Sequence, residues 1–351
     1  MQFLSPPQLP VVNVSSMTAG INGRVVIDSA SGVMYFDNGT AWINLALNSQ
    51  IAPLQNSINA LNNPESAIFG GGSPEALTFL NTTALYTYSY NTSIQGTSLG
   101  YNTVYGACAS TGSVALFAGG SPDGSTYVST SSVYTYSNNS VAAGGNLSLA
   151  EYSLAAAGNT TVGVFGGGYT SAVLSSTSVY TYSTSTTAAG GALSYSSYSL
   201  AAAGNSTVAL FGDGYNAGYL SNTSLYTYSS NTAAASGSLS YISSALGAAG
   251  NSTVAVFAGG NNTNVPVSTT SVYTYSAGTA AVGANLSYNA FALAGTSNAS
   301  YGVFGGGVVP PSALFTTAVW NYSTSTNISG CNLAYGGFGM AAGSPNTGVN
   351  M

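Results

Sequence analysis

The chain has 351 residues, room for one large domain or two, and a hydrophobic content of 45% that can bury a sizeable core and excludes disorder by composition. Seven acids (Asp28, Asp37, Glu65, Glu75, Asp123, Glu151 and Asp213) face a single base, Arg24, with no Lys and no His, for a formal charge of −6. That balance excludes binding to nucleic acid or to an anionic membrane surface, both of which rest on Lys and Arg, and the fold has to work almost without ion pairs.

No run approaches the roughly 18 consecutive apolar residues of a transmembrane span, so no membrane insertion is expected. Residues 1–12 lack the basic and apolar regions of a secretory signal. Prolines at 6, 7 and 10 read as an extended arm, followed by short strands over Gly23–Asp28 and Val33–Trp42 with turns at Ser31-Gly32 and Asn38-Gly39. Residues 1–46 are therefore expected to form a small β module.

From Leu47 the period changes. Leu47, Ile51, Leu54, Ile58 and Leu61 recur at alternating four and three, a heptad seam on one helical face. Ser49 is a candidate N-cap, and Pro53 falls in the first turn, where its missing N–H is tolerated. A helix of about three turns is too short to be stable alone, so it should associate with copies of itself or pack on a neighbouring domain. Residues 47–64 are expected to be a short oligomerising neck.

From Ser66 a repeat takes over. Its first landmark is a Phe followed by glycines, at Phe69, Phe117, Phe165, Phe211, Phe257 and Phe304, with spacings of 46 to 48 residues. Its second is the first aromatic of a Tyr-x-Tyr motif, at Tyr86, Tyr134, Tyr180, Tyr226, Tyr273 and Trp320. Six copies of short strands and glycine turns at this period indicate a propeller blade rather than a helical solenoid. A third landmark, such as Leu154–Gly158 and Leu200–Gly204, precedes five of the glycine motifs. It is missing before the first and reappears as Phe338–Gly343 after the last. The C-terminal segment should thus supply the innermost strand of the blade that Ser66 begins. Period two puts Tyr180 and Tyr182 on one face, where they can pack against the next blade and send their hydroxyls to backbone partners.

The Phe-Gly-Gly-Gly and Val-Tyr-Thr-Tyr-Ser stretches resemble kelch-type repeats, although runs such as Ala188-Ala-Gly-Gly191 fill the place where that family carries a Trp. Stretches such as Gly204–Gly214 and Thr223–Ser229 resemble the charge-poor kelch-like repeats of bacteriophage virion proteins, and Gly23–Asp28 with Met34–Trp42 is similar to short β modules of phage tail fibres. The resemblance implies an all-β fold: a six-bladed kelch-like β-propeller over residues 65–351, closed by the C-terminal strand and preceded by the small β module and the short heptad helix. It also implies a virion structural protein, a tail fibre or receptor-binding appendage that attaches to other virion proteins through residues 1–46, trimerises through its neck and meets a host-surface glycan or protein with its propeller. A secreted or cell-surface glycosylated adhesin and a capsid decoration protein are the alternatives.

Catalytic equipment is sparse. Without His or Lys there is no serine or cysteine triad, no Schiff base, no ordinary zinc site and no copper-oxidase site of the kelch type. A glycosidase needs a pair of carboxylates; Glu75, Asp123 and Asp213 lie in or near loops after the glycine motif and read as solvated loop acids. Calcium has no Asp-x-Asp-x-Asp run to bind, and the glycine motif lacks the Lys of a phosphate loop. No enzymatic activity, cofactor or metal is therefore expected. Cys108 and Cys331 occupy different places in the repeat and read as small buried thiols. Asn-x-Ser/Thr sequons are numerous, and those at Asn159, Asn205 and Asn251 recur at one turn, where Gly-Asn is ordinary turn chemistry. The candidates for recognition are aromatics in the unequal loops, Tyr127, Tyr169, Tyr215 and Tyr219, with Asp123 and Asp213 beside them. Tyr faces among hydroxyl and amide side chains suit sugar binding, while partly buried loop anchors are the other reading.

Overall fold

The computed structural model describes residues 11–18, 20, 24–30, 34–37, 39–46, 66–75 and 77–345. The expected heptad residues Leu47, Ile51, Leu54, Ile58 and Leu61 and the proline arm lie outside them. Contacts divide the chain into two units, Met1–Asn59 and Ala60–Met351.

In the first unit, β1 (Val11–Val12), β2 (Val25–Asp28), β3 (Met34–Asp37) and β4 (Trp42–Ala46) form one sheet in that order, with β1 parallel to β2 and the other pairs antiparallel. Asp37, fully buried at the end of β3, is saturated. It pairs with Arg24, whose Nε donates to Oδ2 at 3.0 Å, and it also accepts from the N–H groups of Gly20 and Gly39. The guanidinium lies 4.9 Å from the Trp42 ring centroid, and the Trp42 indole N–H donates to the Met17 carbonyl at 3.1 Å. A buried charge survives only when paired and hydrogen-bonded, and the single Arg of the chain is used for this.

The second unit is a six-bladed β-propeller. Each blade is an antiparallel four-stranded sheet, five of them in simple sequence order. In the remaining blade the innermost strand is the C-terminal Ala341–Gly343, paired with Ser66–Gly70, so the expected closure is present. The innermost strands, Ala107–Ser110, Ala155–Gly158, Ala201–Gly204, Gly247–Gly250, Ala294–Ser297 and Ala341–Gly343, contact one another in a ring around a channel. Blades are numbered below by these strands, blade 1 holding Ala341–Gly343 and blade 2 holding Ala107–Ser110.

The core lies between blades. In the junction of blades 2 and 3, Phe165 and Tyr180 pack on Leu116, Leu147 and Leu154, and equivalent clusters fill the other five junctions. The six repeated Phe and the first aromatics of the Tyr-x-Tyr motif, Trp320 included, are the largest fully buried side chains. Their repetition is thus a packing requirement: each blade buries the same residues against the next.

The tyrosine hydroxyls do not go to the backbone partners expected of them. The Tyr86 hydroxyl donates to Asn91 Oδ1 at 2.7 Å, and Tyr134 and Tyr226 reach Asn139 and Asn231 in the same way. The second tyrosines, Tyr182, Tyr228, Tyr275 and Tyr322, are half-buried, and their buried hydroxyls meet no hydrogen-bond partner. The motif places its second ring against glycines paired across the two inner strands, such as Gly158 and Gly163, where backbone groups are already committed to the sheet.

Connections from the second to the third strand, and from the outer strand to the next blade, open at the same end of the ring, here called the loop face. There a closed circle of backbone hydrogen bonds ties blade to blade. Tyr105 donates its N–H to Gly339, Ser153 to Tyr105, Ser199 to Ser153, Ala245 to Ser199, Ala292 to Ala245 and Gly339 to Ala292, at 2.6 to 2.8 Å. All six residues hold φ between 53° and 64°. That conformation costs a non-glycine residue roughly 1–2 kcal/mol, and here it aims each N–H along the circle. Outside this circle the second glycine of each Gly-Gly pair donates to the neighbouring link, as Gly120 does to the Glu151 carbonyl at 2.8 Å.

Candidate functional site

The channel offers little chemistry. Its walls are mostly Ala and Gly, with Cys108 and four repeated Leu side chains among them and Ser110, Thr296 and Ser297 at the end opposite the loop face, and it widens to about 60, 80 and 70 Å³ at three successive levels. Each level holds a few waters at most.

The loop face is different. Six of the exposed large hydrophobic side chains, Leu77, Leu149, Ile242, Val265, Val309 and Phe315, stand on its loops. It also carries a continuous arc of aromatic rings. From Phe338 the ring centroids step to Tyr105 (6.2 Å), Tyr152 (6.5 Å), Tyr169 (5.8 Å), Tyr198 (5.8 Å), Tyr215 (5.7 Å) and Tyr219 (5.3 Å). Tyr127 stacks on Tyr152 at 4.4 Å with 19° between planes. All eight side chains are half-buried.

Backbone pairing fixes the arc. The residue after each Gly-Gly pair bridges a residue of the adjoining link: Ser73 with Phe338, Tyr152 with Tyr169, and Tyr198 with Tyr215. Tyr215 also bridges Tyr219, whose hydroxyl accepts the Asn264 N–H at 3.2 Å and so joins the loops of blades 4 and 5. The rings are therefore mounted on paired backbone. In blades 5 and 6 the equivalent bridges carry Ser244 with Asn261 and Phe291 with Val308, and the loops fold into short hairpins. The scaffold repeats six times, but the arc occupies one side of it.

Of the residues expected to recognise a ligand, Tyr127, Tyr169, Tyr215 and Tyr219 all belong to this arc. Tyr105, Tyr152, Tyr198 and Phe338 were not among them, because they lie in the links just before the innermost strands, outside the unequal loops to which the expectation was confined. The signal was in the repeat: at one link position Val104, Tyr152, Tyr198, Ser244, Phe291 and Phe338 differ, while the Leu two residues on from Tyr152, Tyr198, Ser244 and Phe291 does not change.

The acids are not alike. Asp123 is exposed, and its carboxylate is engaged by its own turn, accepting from the N–H groups of Ser125 (2.8 Å) and Thr126 (2.6 Å) and from both hydroxyls. These bonds hold its carboxyl well below the usual range. Asp213 corrects the expectation of a solvated loop acid. It stands where the five other blades show a glycine at positive φ, Gly71, Gly119, Gly167, Gly259 and Gly306, at φ 68° and with no exposed surface. Oδ1 accepts from the N–H groups of Gly214 (2.8 Å) and Ser243 (3.0 Å), while Oδ2 meets no partner. Burial pushes its carboxyl up to about 9, the two hydrogen bonds opposing the shift. Glu151 is buried too, with Oε2 unpartnered, and burial raises it to about 8. It replaces the Thr103, Ser197 and Ser243 of other links. Both buried acids sit under the arc, one residue before Tyr152 and two before Tyr215.

Among the described residues no three His, Cys, Asp or Glu side chains gather into a metal site. Glu75, Asp123 and Asp213 belong to blades 1, 2 and 4, with Asp123 committed to its turn and Asp213 buried. Cys108 is a buried free thiol and Cys331 a half-buried one. At the opposite face Asn159 and Asn205 shape the first hairpin turn and donate Nδ2 to the next blade, at Ser206 (3.2 Å) and Ser252 (3.3 Å). These sequons do structural work between blades, whereas Asn146, Asn222 and Asn285 are exposed.

No protein-family model matches the chain, and neither does any curated protein. The class that the geometry defines is a six-bladed β-propeller with an asymmetric aromatic loop face.

Proposed function

We propose that the chain is a virion structural protein, a tail fibre or receptor-binding appendage in which a kelch-like propeller serves as the recognition head. In this reading residues 1–46 attach to other virion proteins, the heptad at 47–64 joins copies of the chain, and the loop face meets the host surface. The observation that carries it is the concentration of aromatic and exposed apolar side chains on one face of a scaffold otherwise built of repeated residues. Such patches on a soluble protein mark interaction surfaces. The kelch-like reading rests on the glycine and tyrosine landmarks, and the virion reading on the charge-poor repeats and the order of module, seam and head.

Antibodies raised against the propeller should label purified virus particles from the source culture, at a projecting appendage. The full-length protein should run in solution as a multiple of its 34.8 kDa mass. A chain found only in particle-free fractions, and monomeric at micromolar concentration, would overturn the proposal. An intact mass above that of the bare chain, carried by glycans on Asn146, Asn222 or Asn285, would favour the adhesin.

A further inference from the structure

We infer that the aromatic arc from Phe338 to Tyr219 is a binding site for an uncharged carbohydrate chain. This rests on the reading of the loop face as the receptor-binding end and adds the chemical class of the ligand. Three observations carry it.

The first is charge. The described propeller residues include no Lys, Arg or His, and their exposed carboxylates are Glu75 and Asp123, the latter saturated by its own turn. An anionic ligand finds no counter-charge there, and a cationic one finds no free cluster of acids. The second is the surface type. Sugar rings present C–H faces that pack on aromatic planes, and hydroxyls that bond to amides and hydroxyls. The arc supplies planes, and Tyr219, Asn216 and Asn264 supply polar groups beside them. The third is length and rigidity. Ring after ring at 5.3 to 6.5 Å makes a track, which suits a chain of sugars better than one, and the paired backbone beneath holds it in place before binding.

The test is an array of neutral hexose and N-acetylhexosamine oligomers of increasing length, printed beside uronic-acid, sialylated and sulfated glycans and probed with the full-length protein. Binding should be confined to neutral oligomers and strengthen with length. Tyr152→Ala and Tyr198→Ala should each weaken it about tenfold, while Tyr90→Ala, on the opposite face, should not. Preference for charged glycans, or neutral binding unchanged by both alanine variants at an unchanged melting temperature, would overturn the inference. If no glycan binds but the protein still adheres to host cells, and Tyr152→Ala abolishes that adherence, the ligand class is wrong and the binding face stands. If the protein neither binds glycans nor adheres, both readings fall.

Discussion

A side chain at a glycine of this propeller is tolerated or not according to what stands beside it. A Cβ at Gly120, where φ is 90°, would lie 2.2 Å from Thr103 Oγ1 and 2.7 Å from the Val104 carbonyl oxygen. Gly120→Ala is expected to cost roughly 2–4 kcal/mol, from backbone strain and collision with the neighbouring link. Gly218 has nothing within 4 Å of such a Cβ, so Gly218→Ala should be neutral or stabilise by about 0.5 kcal/mol through the unfolded chain. Urea unfolding of the two variants checks the contrast; equal effects would mean that the Gly-Gly pairs are not held as described. Asp213 is the instructive exception, a side chain placed where the repeat otherwise carries glycine, and its carboxyl is trapped because the link holding Ser243 closes over it.

At the scale of the element, the closing strand decides whether there is a ring at all. Truncation after Gly337 would remove Ala341–Gly343 and the Gly339 member of the hydrogen-bonded circle. That would leave Ser66–Gly70 with an unpaired edge and the junction cluster around Phe69 without Met340. The truncated chain is expected to lose its single cooperative melting transition and to aggregate, as calorimetry and light scattering would register. Phe165→Ala acts on one junction instead. The ring is fully buried between blades 2 and 3, and its loss should cost roughly 3–5 kcal/mol while the circle of six blades stays closed.

For the whole molecule, near-absence of charge shapes the response to pH. Glu151 and Asp213 have carboxyls raised by burial, so the folded state holds their protons more tightly than the unfolded chain does. Their contribution to stability is full below the ordinary carboxylate range and is lost as pH rises through about 8 for Glu151 and about 9 for Asp213. With no His to charge and no ion pair among the described propeller residues, acid acts there mainly on the hydrogen-bonded Asp123, whose contribution is lost only below the ordinary carboxylate range. The melting temperature of the propeller should therefore be several degrees higher at pH 5 than at pH 9. The double variant Glu151→Gln, Asp213→Asn should flatten that difference; a propeller that melts earlier in acid would contradict these assignments.

The sequence by itself determined the blade count, the order of strands and the position of closure, because the core residues recur at one period and a packing requirement repeated six times is visible as spacing. Tyr127, Tyr169, Tyr215 and Tyr219 were also legible, as aromatics outside the repeated positions. What only the tertiary structure decided was which residues join them. Tyr105, Tyr152, Tyr198 and Phe338 come from the links that precede the innermost strands, and only the closed ring sets the aromatics of one blade beside those of the next, Tyr105 against Tyr152 and Phe338, and Tyr169 against Tyr198. The same holds for Asp213. Its loop looked open to solvent, and burial followed from a neighbouring blade that local pattern cannot register.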